Sequence, residues 1–435
     1  MKRTIRLFTC LCLVLALVLS ACEGEPKPWS EGPSDDYGFN YSQRVGNETT
    51  TAPSVTHYET TTQAQNLQQQ ETTTQQITPI VVAQEGPRFY YSQLPEEEQQ
   101  VYQALVEGSA AYVADIPVPG CSQEQANRIV FAMTSDYPAY YWTGGAYVMH
   151  SMGGQVSSIE FTVPADAKDR VERSKARAEE IVAEAKAAVG EDPYELVKYY
   201  FETIVTSTNY IKSEHDQWMN NVLLEGNAVC AGYAKTFLYL CQLSGIECGY
   251  VTGHSKGESH AWNVVKLDDV WYWVDVTWGD PVSNNEKPGN NFINYNYLTF
   301  SDDFCFLNHT LALSDEDAAA GIYDPSKDFT YPTCADDGKE YYKAAGAYFA
   351  SYSVDAVKEY LAKNVQEGKL TEIPLRFATA TDYAQFNADF LSNGPVNNLR
   401  DALTMGDPSF ETSGYQYSTL YFEDIYFLTI SFEKT

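Results

Sequence analysis

Positive charge is scarce in this chain: its 435 residues carry 28 Lys and Arg against 59 Asp and Glu, a formal charge of −31. With no basic surplus to displace phosphate counterions, nucleic acid is excluded as a partner. The acidity reads as a solubility device. No CxxC pair occurs among the nine cysteines, which argues against a thioredoxin-like site and a zinc ribbon. His254, His260 and Cys248 show no ligand spacing either, so no metal or cofactor is expected. The amino-terminal apolar run, Leu7 to Leu19, is too short for a spanning helix. No internal repeat is visible.

That run has a different reading. Lys2, Arg3 and Arg6 precede it and Leu19-Ser20-Ala21-Cys22 closes it. The pattern resembles a bacterial lipoprotein signal peptide, in which residues 1–21 are removed and Cys22 is acylated. The resemblance implies a protein exported and lipid-anchored to the bacterial cell membrane, facing outside the cytoplasm. Cys10 and Cys12 would leave with the leader. Cys121, Cys230, Cys241, Cys248, Cys305 and Cys334 remain, without the spacing of a disulfide framework; a Cys241–Cys248 bridge is open but unsupported.

Residues 22–87 have no apolar periodicity, and residues 49–76 hold ten Thr and seven Gln. Such a segment cannot bury enough surface to fold. It is expected to be a flexible stalk spanning about 45 Å root-mean-square. A small α+β module over 88–165 follows, with helices at Leu94–Val106 and from Ser122 through Met133, an aromatic cluster, and strands Ala146–Ser151 and Gln155–Val163. A central domain over 166–333 begins with a charged helix to Val189 and a second helix from Pro193. The last module, 334–435, reads as two helices, a strand (Glu372–Phe377), a helix (Thr381–Leu391) and strands Tyr415–Tyr421 and Glu423–Phe432.

The chemistry concentrates around Asn227-Ala228-Val229-Cys230-Ala231-Gly232-Tyr233-Ala234. This reads as a loop entering a helix, with Asn227 as N-cap and Gly245 as its stop. Ala234, Phe237, Leu238 and Cys241 recur at helical spacing, giving one buried face. A lone cysteine is most often a small core residue, yet one in a first helical turn sits where the dipole favours thiolate. Downstream, His260–Leu267 and Val270–Trp278 form a hairpin about Asp268-Asp269. If Leu267 faces Val270, His260 lies opposite Thr277 and Asp275 is its diagonal neighbour, within about 7–8 Å. Val265, Leu267, Val270, Tyr272, Val274 and Val276 make the core face, and the other face presents an imidazole with a carboxylate to orient it. Cys230 as nucleophile, His260 as base and Asp275 as orienter then suit acyl transfer.

Val229-Cys230-Ala231-Gly232-Tyr233-Ala234, Gly245-Ile246-Glu247-Cys248, His260-Ala261-Trp262-Asn263 and Trp271 through Pro281 together resemble a bacterial transglutaminase-like domain. Tyr295-Asn296-Tyr297-Leu298 and His309-Thr310 resemble the segment that usually follows. The resemblance covers roughly residues 195–315 and implies an α+β fold related to papain-like peptidases. A cysteine-bearing helix would pack on an antiparallel sheet, with small α+β modules on either side. It implies Cys230, His260 and Asp275 as the catalytic triad, and an upstream oxyanion-hole donor among Trp218, Asn220 and Asn221. Trp278 and Asp280-Pro281 would be structural, and His254 and His309 read as hydrogen-bonded structural histidines. The expected substrate is a peptide or glutamine amide of a protein or cell-wall peptide, with hydrolysis favoured over amine transfer. The competing expectation is a non-catalytic surface binding or scaffold module that keeps the fold.

Overall fold

The structure, a computed structural model, describes residues 87–281, 292–319, 322–335, 338–391 and 397–435. The expected leader, Cys22 and the stalk to residue 86 lie outside the described residues. Among those described, no helix is long and apolar enough to cross a membrane.

Two compact units emerge, dividing at Tyr342 rather than at 334. The larger unit begins with α1 (Glu96–Ala110), β1 (Asp115–Cys121), α2 (Gln123–Asp136), β2 (Tyr147–Met152) and β3 (Gln155–Phe161). β1 was not legible in the sequence, since Pro117 and Pro119 suppress a strand signal; as an edge strand it tolerates both. It completes an antiparallel sheet of order β1-β3-β2. α2 starts with a capping box, Ser122 accepting from the Gln125 N–H while the Gln125 side chain accepts from the Ser122 N–H, which satisfies two otherwise orphaned donors.

Residues 88–165 do not stand apart as a separate module. They pack into the same unit as the rest through Asp136, a carboxylate buried at the end of α2. Asp136 accepts from the Tyr90 and Tyr91 N–H groups and the Tyr102 hydroxyl, at 2.9–3.2 Å. Its backbone carbonyl takes the Gln242 amide, 3.0 Å away on the cysteine helix. Burial outweighs these donors and pushes Asp136 up to about 6. A carboxyl raised on folding binds its proton more tightly in the native state. Its contribution therefore favours folding at low pH and fades as pH rises from about 4 to 6. Asp136→Asn should flatten the pH–stability curve between pH 4.5 and 7.5 by about 2 kcal/mol. Urea midpoints at pH 4.5 and 7.5 for both proteins would measure it; parallel curves would contradict the assignment.

α3 (Ala167–Val189) and α4 (Pro193–Ser207) follow. Asp192 caps α4 by accepting from the Tyr194 and Glu195 N–H groups, and Pro193 stands at N1 where no N–H is needed. β4 (Asn209–Tyr210) pairs in parallel with β5 (Asn227–Ala228), flanking the short α5 (Met219–Glu225). Then comes α6 (Cys230–Leu243), and after it β6 (Cys248–Ser255), β7 (Glu258–Leu267), β8 (Val270–Val274), α7 (Asp302–Cys305), β9 (His309–Thr310) and α8 (Asp315–Ala319). These strands form an antiparallel sheet of order β8-β7-β6-β9. Helices and an antiparallel sheet thus meet as the α+β reading anticipated.

The smaller unit, residues 342–435, holds β10 (Tyr348–Phe349), α9 (Val354–Gln366), β11 (Ile373–Phe377), α10 (Ala380–Phe386), α11 (Asn397–Gly406), β12 (Tyr415–Phe422) and β13 (Phe427–Lys434). Its sheet order is β10-β11-β13-β12, over a core that includes Leu361, Leu375, Phe386, Leu403 and Ile430. α11 and β10 were not anticipated; the final hairpin was.

Candidate active site

Cys230 is the first residue of α6, and Val229, not Asn227, occupies the N-cap position. Asn227 instead extends β5 against Asn209. α6 is buried on every side from Cys230 to Gln242, not on one face as its spacing suggested. It is a central helix, and two motif residues hold it there. Asn263 on β7 donates to the Ala234 carbonyl at 3.0 Å and to that of Gly249 on β6 at 3.2 Å. The Tyr233 hydroxyl donates to Asp280 at 2.8 Å. Removing either partner would leave a buried polar group unmatched, which explains why residues in four separated stretches act together.

The β7–β8 hairpin has the expected register, Leu267 opposite Val270 and Asn263 opposite Val274. Asp268 and Asp269 both take positive φ, 51° and 64°, as a two-residue primed turn requires. β8 stops at Val274, however, so His260 and Thr277 do not pair. Asp275 turns its N–H to the Tyr297 carbonyl, 2.9 Å away, and its carboxylate reaches His260 from just beyond the strand. The His260 Nε2 to Asp275 Oδ2 distance is 2.7 Å. The other ring nitrogen is left for Cys230, which lies close enough to raise His260. Nor is the imidazole-bearing face open: the segment 297–309 covers it, with His309 against Trp262 and His260 at ring separations of 5.0 and 5.6 Å.

Asp275 is fully buried and fully used. Oδ1 accepts from the Trp278 N–H at 3.0 Å, and Oδ2 accepts from both His260 and His309, the latter at 3.0 Å. Burial alone would raise its pKa, but the two imidazoles outweigh burial and hold it at about 2. Burial alone would lower His260, and Asp275 with Cys230 reverses this and lifts it to about 10. His309, equally buried, is held below its ordinary value because burial dominates there. The two imidazoles on one carboxylate are therefore shifted in opposite directions, His260 up and His309 down. The sequence marked His309 as a hydrogen-bonded structural histidine in a downstream segment, and nothing in a two-residue strand signals its contact with Asp275.

Trp278 stands edge-on to His260, with the Lys256 ammonium 4.4 Å from its ring centroid. Its Nε1 is buried without a hydrogen-bond partner. Upstream, residues 216–218 press on the start of α6: the Asp216 carbonyl accepts from the Val229 N–H at 2.9 Å. Trp218 stacks between His215 and Tyr141, at 3.9 and 4.2 Å. Asn220 donates its amide to Ser174 on α3 at 2.9 Å, and Asn221 donates to Asn227 at 2.7 Å. With those donors engaged, the structure does not bring Asn220 or Asn221 to the site as oxyanion donors. Gln217 was not singled out in the sequence; its Oε1 is buried and unpartnered beside the same helix start.

His260, Asp275 and His309 each place one donor atom within 4.8 Å of the others, the arrangement a metal centre would need. The N···O separations of 2.7 and 3.0 Å are those of shared protons. An ion bonded to nitrogen and oxygen at about 2.0–2.2 Å would have to displace both protons and part the rings inside a closed aromatic cage. The donor set fits a hydrogen-bonded carboxylate better than a metal. Cys241 and Cys248 are buried neighbours behind α6, and burial with this mutual contact drives the Cys248 thiol far up, towards inertness.

Residues 175–276, which contain Cys230, His260 and Asp275, match the family model described as the Transglutaminase-like superfamily. Human kyphoscoliosis peptidase is 35% identical over 92 residues, 18% of this chain and 13% of that protein, so the match spans only a small part of the relative. Among solved structures, the crystal structure of a TGase shares 15% identity over 33% of this chain and 47% of its own, with a TM-score of 0.23. The periplasmic domain of TgpA from Pseudomonas aeruginosa shares 19% identity over 28% of this chain and 54% of its own, with a TM-score of 0.21.

Proposed function

We propose that the transglutaminase-like domain of this chain is a cysteine acyl-transfer enzyme acting on peptide or glutamine amide bonds, with Cys230 as nucleophile, His260 as acid–base and Asp275 as orienter. The observation that carries this reading is a buried imidazole beside Cys230 with a buried carboxylate 2.7 Å behind it. As the sulfur bonds to the carbonyl carbon, His260 already holds the thiol proton. It returns that proton to the leaving nitrogen, which departs as ammonia or an amine and leaves a thioester. Water then releases a carboxylic acid, or an amine accepts the acyl group. Hydrolysis is the favoured second half, on a protein or cell-wall peptide. Oxyanion stabilisation falls to the first-turn N–H of α6 with Trp218 or the Gln217 amide. The signal-like amino terminus supports export and tethering through a lipid on Cys22.

Cys230→Ala should abolish turnover, and Cys230 should react with iodoacetamide faster than a model thiol at neutral pH. Offering a labelled primary amine beside a glutamine peptide separates the two outcomes, because hydrolysis releases acid or ammonia without incorporating label. Model-thiol reactivity together with unchanged activity in Cys230→Ala would favour a non-catalytic binding or scaffold module.

A further inference from the structure

We propose that His309 is a positioning residue for this site: its Nε2–H clamps the Asp275 carboxylate so that Oδ2 stays aimed at His260. The inference rests on the catalytic reading of Cys230, His260 and Asp275 given above.

A carboxylate can swing about its Cβ–Cγ bond, and an orienter that swings does not orient. Asp275 is held at both oxygens, by the Trp278 N–H on Oδ1 and by His309 Nε2 on Oδ2, each at 3.0 Å. His260 then meets the carboxylate at the shortest of the three distances, 2.7 Å. Three N–H donors fill most of what an ionised carboxylate accepts, so little is left to draw Asp275 towards another partner.

His309 is itself fixed. Its side chain is fully buried, and its Nδ1 lies 2.6 Å from the Asn308 side-chain oxygen. Asn308 in turn meets the Tyr297 hydroxyl at 3.0 Å. On β6, any side chain at Gly253 would collide with the Thr310 carbonyl and the Trp262 ring. A glycine there lets β9 close in and deliver the imidazole. A residue serving only to fill space would be apolar here, because a buried imidazole is costly unless hydrogen bonds offset its desolvation.

The titratable groups facing His309 are Asp275, His260 from β7, Cys305 from α7, and Tyr297. Asp275 is the single anion among them at neutral pH. His260, which also contacts Cys230, is the better placed of the two rings to hold the proton.

Histidine nitrogen-15 NMR on the full chain tests this directly. His309 should carry a hydrogen on Nε2 from about pH 5 to 8; a ring lacking Nε2–H has nothing to give Asp275 and overturns the proposal. His309→Ala should lower the pH midpoint of the His260 imidazolium by about one unit, a tenfold loss of the protonated form above it. His309→Gln, able to offer an amide N–H to the same oxygen, should stay near the unmutated value. An unmoved His260 midpoint in a folded His309→Ala protein also overturns the clamp. Should that variant fail to fold, the tautomer in the intact protein decides. Cys230 reacting like a model thiol in the unmutated chain would instead sink the catalytic reading, and that result is read independently of any His309 signal.

Discussion

Asp275→Asn should lower kcat/KM by about three to four orders of magnitude and cost about 3 kcal/mol of stability, while the protein still folds. The substitution keeps size but removes the charge between two buried imidazoles. It also mismatches donors. His260 Nε2, His309 Nε2 and the Trp278 N–H all point at acceptor oxygens, and an asparagine offers one oxygen and one NH2. One N–H must then face another. The sign of the pH dependence follows from the two shifts. His260 is raised to about 10, so its stabilisation is fully present below about 6.5 and is lost as pH rises through the folded value. Asp275 is lowered to about 2, so its contribution is present above about 3.9 and is lost as pH falls through that lower value. Both contributions are present around neutrality, where the variant should be most penalised relative to the unmutated chain. Steady-state kinetics and urea midpoints measure the two effects. Activity within tenfold of the unmutated protein would mean that Asp275 does not orient the base.

Local rules carried the hairpin. Two aspartates between alternating runs set the register of β7 and β8, and that register alone brought His260 and Asp275 within reach. What the local pattern missed came from distant chain. β8 ends early because Asp275 finds its backbone partner in Tyr297, and Phe300 bridges to Trp273. The same segment covers the face that alternation had left open. A strand with one polar face in sequence can thus be buried on both sides when a later loop supplies the cover. α6 misled in a similar way: its apolar spacing marks one face, but Lys235, Thr236 and Gln242 are buried too, with Thr236 donating to the Gly232 carbonyl and the Gln242 NH2 to the Asp136 carbonyl. His309 was least legible, because its position depends on Gly253 permitting close contact across β6. The oxyanion side is hard to read from sequence for a simpler reason. Asn220 and Asn221 have the right chemistry, but Ser174 and Asn227 occupy their amides.

Gly232→Ala should destabilise the protein by about 1–2 kcal/mol and slow alkylation of Cys230, although helix propensity argues the reverse. Alanine in a helix is favoured over glycine by about 1 kcal/mol, and Gly232 sits in the first turn of α6, so a naive account predicts a gain. The neighbours decide otherwise. A Cβ at Gly232 would lie 2.6 Å from the Ala228 Cβ, 2.8 Å from the Asp216 carbonyl oxygen and 3.3 Å from that of Trp218. Two of these are backbone atoms, which cannot rotate away as a side-chain tip could. Overpacking of this kind costs about 1–3 kcal/mol, enough to cancel the propensity gain and exceed it. The displaced segment is the one whose Asp216 carbonyl accepts from the Val229 N–H, the bond that pins the residue before the nucleophile. Relief of the clash would lengthen that bond, tilt the first turn of α6 and loosen the contact between Cys230 and His260. Stability and reactivity should therefore fall together, measured by urea unfolding and by the iodoacetamide rate at neutral pH. A rise in stability would show that the segment yields freely, and that the close approach at Gly232 does not hold the nucleophile in place.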